Sequence, residues 1–156
     1  MPNHTPERKT EQALKLYFAT ILGYELQGWQ VTTRFSNTEL TEPRIEIFCP
    51  DCEPWEDLTS AYTGNWAVTC MIKLVSHYDS GVDAEAHDVV SGNLLDSMML
   101  ADATTGASAF AQEINLTQLE SDLTVLEVDI KTRTNSVEEH SLITEQELVL
   151  YVKPSR

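Results

Sequence analysis

Apolar and polar residues alternate over several stretches of this chain, and at two places the apolar ones fall at helical spacing instead. Leu14, Phe18, Ile21 and Leu22 follow the helical period, with Leu14 and Phe18 four apart. They predict a helix from about Glu11 to Leu22, ended by Gly23, with residues 1–8 as a loose arm before it. Trp29, Val31, Thr33 and Phe35 alternate with polar neighbours and predict a half-buried strand. A polar loop, Ser36 to Glu42, leads through Pro43 to a second alternating strand, Arg44 to Cys49, with Ile45 and Ile47 on one face and Pro50 as its stop. The longest alternation runs from Trp66 to Tyr78, with Trp66, Val68, Cys70, Ile72 and Leu74 on one face. These two strands predict a hairpin whose extended tip is the acidic segment Asp51 to Gly64.

The clearest helix follows. Ser80 and Asp83 fit a capping box, and Asp83 and Glu85 suit the positive end of the helix dipole. Ala86, Val89, Val90, Leu94, Met98 and Ala101 form the predicted core stripe, widened by Leu95 and Met99, with an end near Ala101 or Asp102. The run Ala103 to Ala109 reads as loop, and Phe110 to Leu119 as loop or the start of a strand. Leu126, Val128 and Ile130 mark the inner face of a strand from Leu123 to Arg133, and Asn135-Ser136 opens a connection. Leu148, Leu150 and Val152 face one way on the last strand and Val149 and Tyr151 the other, with Pro154 as its end. The order of elements predicts an α+β fold: a mostly antiparallel sheet with two helices packed on one face and an extended hairpin loop. At 156 residues the chain has the length of a single domain, 1–156, able to bury a core.

Charge narrows the function classes. There are 25 acids against 10 Lys plus Arg, a net charge of −15, and no Lys or Arg between Leu74 and Ile130. Such a chain is repelled by nucleic acid and by anionic membranes, so sequence-specific nucleic-acid binding and membrane association are not expected. The acid-rich stretch reads either as a solvated surface or as a face for a basic partner or a channel wall. No signal-peptide pattern opens the chain, which predicts a cytoplasmic protein when made.

Candidate chemistry is sparse. Cys49-Pro50-Asp51-Cys52 has a spacing that grips a metal or closes a redox disulfide, and Cys70 and His77 are candidates to complete a zinc set. Cys70 and His77 are seven apart on one strand and point to opposite faces, and no helix begins at Glu53, so the turn is read as an incidental strand end. On that reading, exchanging Cys49 and Cys52 for serine leaves folding and assembly intact. Asp79, Asp83, His87 and Asp88 form a second cluster, in which Asp83 and His87 share a helix face and suit either a divalent cation or an acid–histidine pair with capping. His4, His77, His87 and His140 read as surface groups. No nucleophile elbow and no phosphate-binding glycine loop is present. The expectation is a non-enzyme without catalytic, cofactor or metal residues.

The whole pattern resembles the tail terminator, or tail completion, proteins of long-tailed bacteriophages. The residues that carry the likeness are the short N-terminal amphipathic helix, the proline-led strand Glu42-Pro43-Arg44-Ile45-Glu46-Ile47, and the long strand Thr63 to Ile72 after an extended loop. To these are added the helix start Ser80 to His87 and the closing antiparallel pair that ends on Leu148 to Val152. The resemblance spans nearly the whole chain and carries no catalytic motif. It implies a structural virion protein that forms a homo-oligomeric ring, typically a hexamer, on the end of the tail tube. Such a ring stops tube growth and meets the head–tail connector proteins, so the expected location is the virion tail, and the host cytoplasm during assembly. Two alternatives stay open: another neck or tail component, such as a head-completion protein or tail tube subunit, and a small metal- or thiol-dependent enzyme. Within the first reading, the hairpin tip with Trp55 and Tyr62 is the segment expected to reach a neighbouring subunit or the tube.

Overall fold

The strand with the cleanest alternation, β3 (Asn65–His77), is the middle of an open five-stranded sheet in a computed structural model that describes residues 4–34, 39–55, 65–95, 98 and 123–154. β2 (Arg44–Trp55) and β5 (Ser141–Pro154) flank it, both antiparallel to it. β1 (Gln30–Thr33) pairs in parallel with β2, and β4 (Leu123–Glu138) pairs antiparallel with β5. The architecture is α+β, as the pattern predicts. One face of the sheet is dry: Ile45, Ile47, Val68, Cys70, Ile72, Leu74, Leu148, Leu150 and Val152 are buried there. The helix α1 (Pro6–Leu16), the π-helical turn Tyr17–Ile21 and the helix α2 (Gly81–Leu95) supply Leu14, Phe18 and Leu94 to the same core, which Met98 beyond α2 also joins.

Several boundaries differ from the expectation, each for a local reason. α1 starts at Pro6, inside the stretch expected as a loose arm, because Thr5 caps it by accepting the Arg8 N–H at 3.3 Å and Pro6 suits the first turn. The turn Tyr17–Ile21 widens the helix, buries Tyr17 and Phe18, and leaves Ile21 exposed. Gly23 ends it at φ +74°, a conformation that favours glycine. Pro50 does not stop β2. The register passes from Phe48↔Met71 to Asp51↔Thr69, so Cys49 and Pro50 lie opposite Cys70 in a β-bulge that absorbs the proline, and the strand continues to Trp55.

The predicted stripe of α2 holds at Leu94 and, beyond the helix, at Met98, both buried, and Val90 packs against the core, whereas Ala86 and Val89 are exposed and His87 and Ser91 take the buried places instead. In β4 a bulge between Val125 and Glu127 turns Leu126 outward and Val125 into the core. No connection begins at Asn135. β4 continues to Glu138 and turns through Glu139 and His140 into β5. Phe35, the hairpin tip 56–64 with Glu56, Asp57 and Tyr62, Met99, the helix end near Ala101 or Asp102, the loop 103–109 and the ambiguous run 110–119 lie outside the described residues.

Candidate functional site

Beneath α2 a chain of polar side chains runs from half-buried Ser76 through buried His87 and Thr144 to exposed Asn135 on β4. The Ser76 hydroxyl lies 2.6 Å from His87 Nδ1, and His87 Nε2 lies 2.8 Å from Thr144 Oγ1. Thr144 Oγ1 donates to Asn135 Oδ1 at 2.8 Å. Because that bond uses the only proton of Thr144, its oxygen accepts from His87 Nε2–H. Burial lowers the His87 pKa below the ordinary histidine value against a smaller upward pull from Asp88, and in the neutral ring that burial favours, Nδ1 accepts from the Ser76 hydroxyl. The serine–histidine contact has the look of an activated nucleophile, but its far end is a neutral amide and each proton already has an acceptor within the fold. The chain joins α2 to β3, β5 and β4. The reading of His87 as a surface group is thus corrected: it is a buried fastener.

Beneath α1 lies a second polar cluster. Glu11 has a fully buried carboxylate whose Oε1 accepts the Cys49 N–H at 2.8 Å and lies 3.3 Å from Arg34 Nε. β1 pairs with β2 only from Arg44 to Ile47, so Glu11 takes the place of the missing strand at Cys49. Glu11 Oε2 has no hydrogen-bond partner among the described residues, and burial raises the Glu11 pKa against the lowering pull of the Cys49 N–H and Arg34. Cys49 Sγ and Cys70 Sγ lie 3.0 Å apart, both fully buried. The Cys70 contact, then burial, push the Cys49 thiol far above the ordinary range. Cys52 is half-buried, pairs with Val68 across the strands, and its thiol is pushed up to about 12, first by burial and then by Glu7.

The predicted ligand sets are not assembled. Cys49 and Cys52 lie in extended strand and not in a turn, and the cysteine that meets Cys49 is Cys70. His77 is exposed at the far end of β3, where its Nε2 is 2.7 Å from Asp79 Oδ2. That exposed pair raises the His77 pKa and lowers that of Asp79. Asp83 does not meet His87. Its carboxylate accepts the Asp79 N–H at 2.9 Å, which makes it a helix-start group. Among the described residues no three His, Cys, Asp or Glu side chains come together as a metal site. Nor is any described helix long and apolar enough to cross a membrane. Because Cys49 is fully buried, the joint exchange of Cys49 and Cys52 for serine, expected to leave folding and assembly intact, sets a hydroxyl in apolar surroundings and is expected to cost about 1–3 kcal/mol.

The other face of the sheet presents the surface features. Phe48, Glu46, Met71, Lys73 and Glu145 line a groove of about 540 Å³ with Arg34, whose guanidinium sits 5.5 Å from the Phe48 ring centre. At the opposite end of this face Trp55 and Tyr151 pack with ring centres 5.0 Å apart and planes inclined at 52°. Trp55, expected in the hairpin tip, is thus the last residue of β2, and Asp51 and Glu53 precede it on the strand. Beyond β5, β4 is an outer strand of 16 residues whose second half is exposed. The predicted strand ends at Arg133; the continuation from Thr134 to Glu138 is missed because those residues show no alternation.

Comparison with known proteins adds the following. No family model matches the sequence, and no curated protein matches it. Among solved structures, one chain overlays on 90% of this protein and 94% of its own length, with 10% sequence identity and a TM-score of 0.40.

Proposed function

We propose that this protein is a non-catalytic structural subunit of a bacteriophage tail: a homo-oligomeric ring that caps the tail tube, stops its growth and offers the surface for head–tail joining. The observation that supports the reading most is the outer edge of β4. From Arg133 to Glu138 the strand is in regular register with β5, and no described strand pairs with its other side. A long regular edge is a template for another chain, and monomeric proteins blunt such edges. The net charge of −15 suits a ring whose lumen must let DNA pass without holding it. The resemblance of the sequence pattern to tail terminators supplies the place of the ring in the virion.

The test is electron microscopy and light scattering of the purified protein, alone and mixed with assembled tubes of a tail tube protein from the same genome. Rings that sit on tube ends and halt elongation are expected. A monomer at every concentration that leaves tubes growing overturns the proposal. Binding to connector rings alone, or incorporation along the tube, replaces it with a head-completion or tube-subunit role.

A further inference from the structure

We infer that Cys49 and Cys70 are a disulfide-forming pair, a modification site that joins β2 to β3 midway along their hairpin and leaves Cys52 free. The two sulfurs are 3.0 Å apart, closer than the ~3.5–4.0 Å at which non-bonded carbon atoms pack. The register that pairs Ile47 with Ile72 and Phe48 with Met71 carries Cys49 to Cys70, and the extra residue of the bulge shifts only the pairs from Asp51 onward. Both cysteines are fully buried on the dry face. Opposite residues of an antiparallel pair lie ~4.5–5.5 Å apart at Cα, within the ~4.4–6.8 Å that a disulfide spans, so cysteines held opposite each other across β2 and β3 are within reach of the bond. Cys52 is paired with Val68 instead, farther along the strand.

The chemistry is a two-electron exchange with a small-molecule disulfide of the glutathione class. One protein thiolate attacks a sulfur of that molecule and releases one small thiol. The second protein thiolate attacks the mixed disulfide and releases the other. The protein loses two hydrogens, the small disulfide gains them, and one sulfur–sulfur bond replaces another. Burial makes both thiols slow to react in the folded protein, so the exchange takes place while the hairpin is open, during folding. This inference does not depend on a role in phage tails.

The test refolds the full chain carrying Cys52→Ser, which leaves one possible intramolecular pair, and in parallel the wild type, from the reduced unfolded state in a glutathione redox buffer. Expected are a native protein lighter by two hydrogens, a Cys49–Cys70 cross-linked peptide in both proteins, and a melting temperature roughly 5–15 °C above that of the reduced form. Cys70→Ala is expected to abolish the cross-link and the shift. Native protein that retains all its thiols free in excess glutathione disulfide, or a wild-type cross-link that contains Cys52, overturns the inference.

Discussion

His87 shows how one side chain is reassigned by its surroundings. On the helical wheel it belongs with Ser91, Leu94 and Met98, four residues whose spacing of four, three and four marks one face. Its polarity hides that membership until Ser76 and Thr144 are seen to receive it. The consequence is a pH dependence of stability. Because the folded pKa of His87 lies below the ordinary value of 6.5, the unfolded chain takes up a proton that the fold refuses. Stability that is present above about pH 6.5 is therefore lost as pH falls toward the depressed folded pKa. Glu11 acts in the opposite sense: its raised pKa gives stability below the carboxylate range that is lost as pH rises through the folded value. The useful readout is thus a difference between proteins. Urea unfolding at pH 7.5 and 5.5, about one unit either side of the ordinary histidine pKa, is expected to show a smaller acid loss for His87→Asn than for the wild type. Equal losses in both would mean that His87 is not the group responsible.

At the scale of elements, α2 offers a direct check on which face is buried. Leu94 is fully enclosed and Val89 is half in solvent. Leu94→Ala is expected to cost about 2–5 kcal/mol, and Val89→Ala less than about 0.5 kcal/mol, by chemical denaturation. Similar costs at the two sites would restore the predicted stripe with Val89 inside. The central strands were legible in the sequence because their two faces differ: β3 and β5 bury every second residue, and alternation records that directly. β2 was legible only as far as Pro50, since the bulge that accommodates it depends on the partner strand. The outer half of β4 was not legible, because exposed edge residues on both faces follow no hydrophobic period.

For the whole molecule, the question is which surfaces meet other copies. The hairpin arms of β2 and β3 are paired from Arg44↔Val75 to Trp55↔Asn65, with Trp55 held against Tyr151. Replacing residues 56–64 by a short glycine linker therefore keeps both strands paired and is expected to leave the melting temperature within a few degrees of wild type, as tolerated for loop changes. If the tip reaches a neighbouring subunit, as proposed, the same variant sediments as a monomer and fails to cap tubes. A ring of normal size and activity from that variant would remove the tip from the assembly surface.

The sequence by itself determined the class of fold, the core of β3 and β5, the helix ended by Gly23 and the acidic character of the surface. Those features depend on local period and on composition, which a single chain carries without knowledge of its partners. Tertiary structure alone decided which cysteine Cys49 meets. Cys52 is three residues away along the chain, but a strand holds such residues apart at ~3.3 Å per residue. Cys70, 21 residues away, is brought to 3.0 Å by strand pairing. The same holds for the contacts of Glu11 with Cys49 and of His87 with Thr144, 38 and 57 residues apart. A buried polar group is stable only with a partner, and pairing across strands and helices, which no local pattern encodes, supplies it.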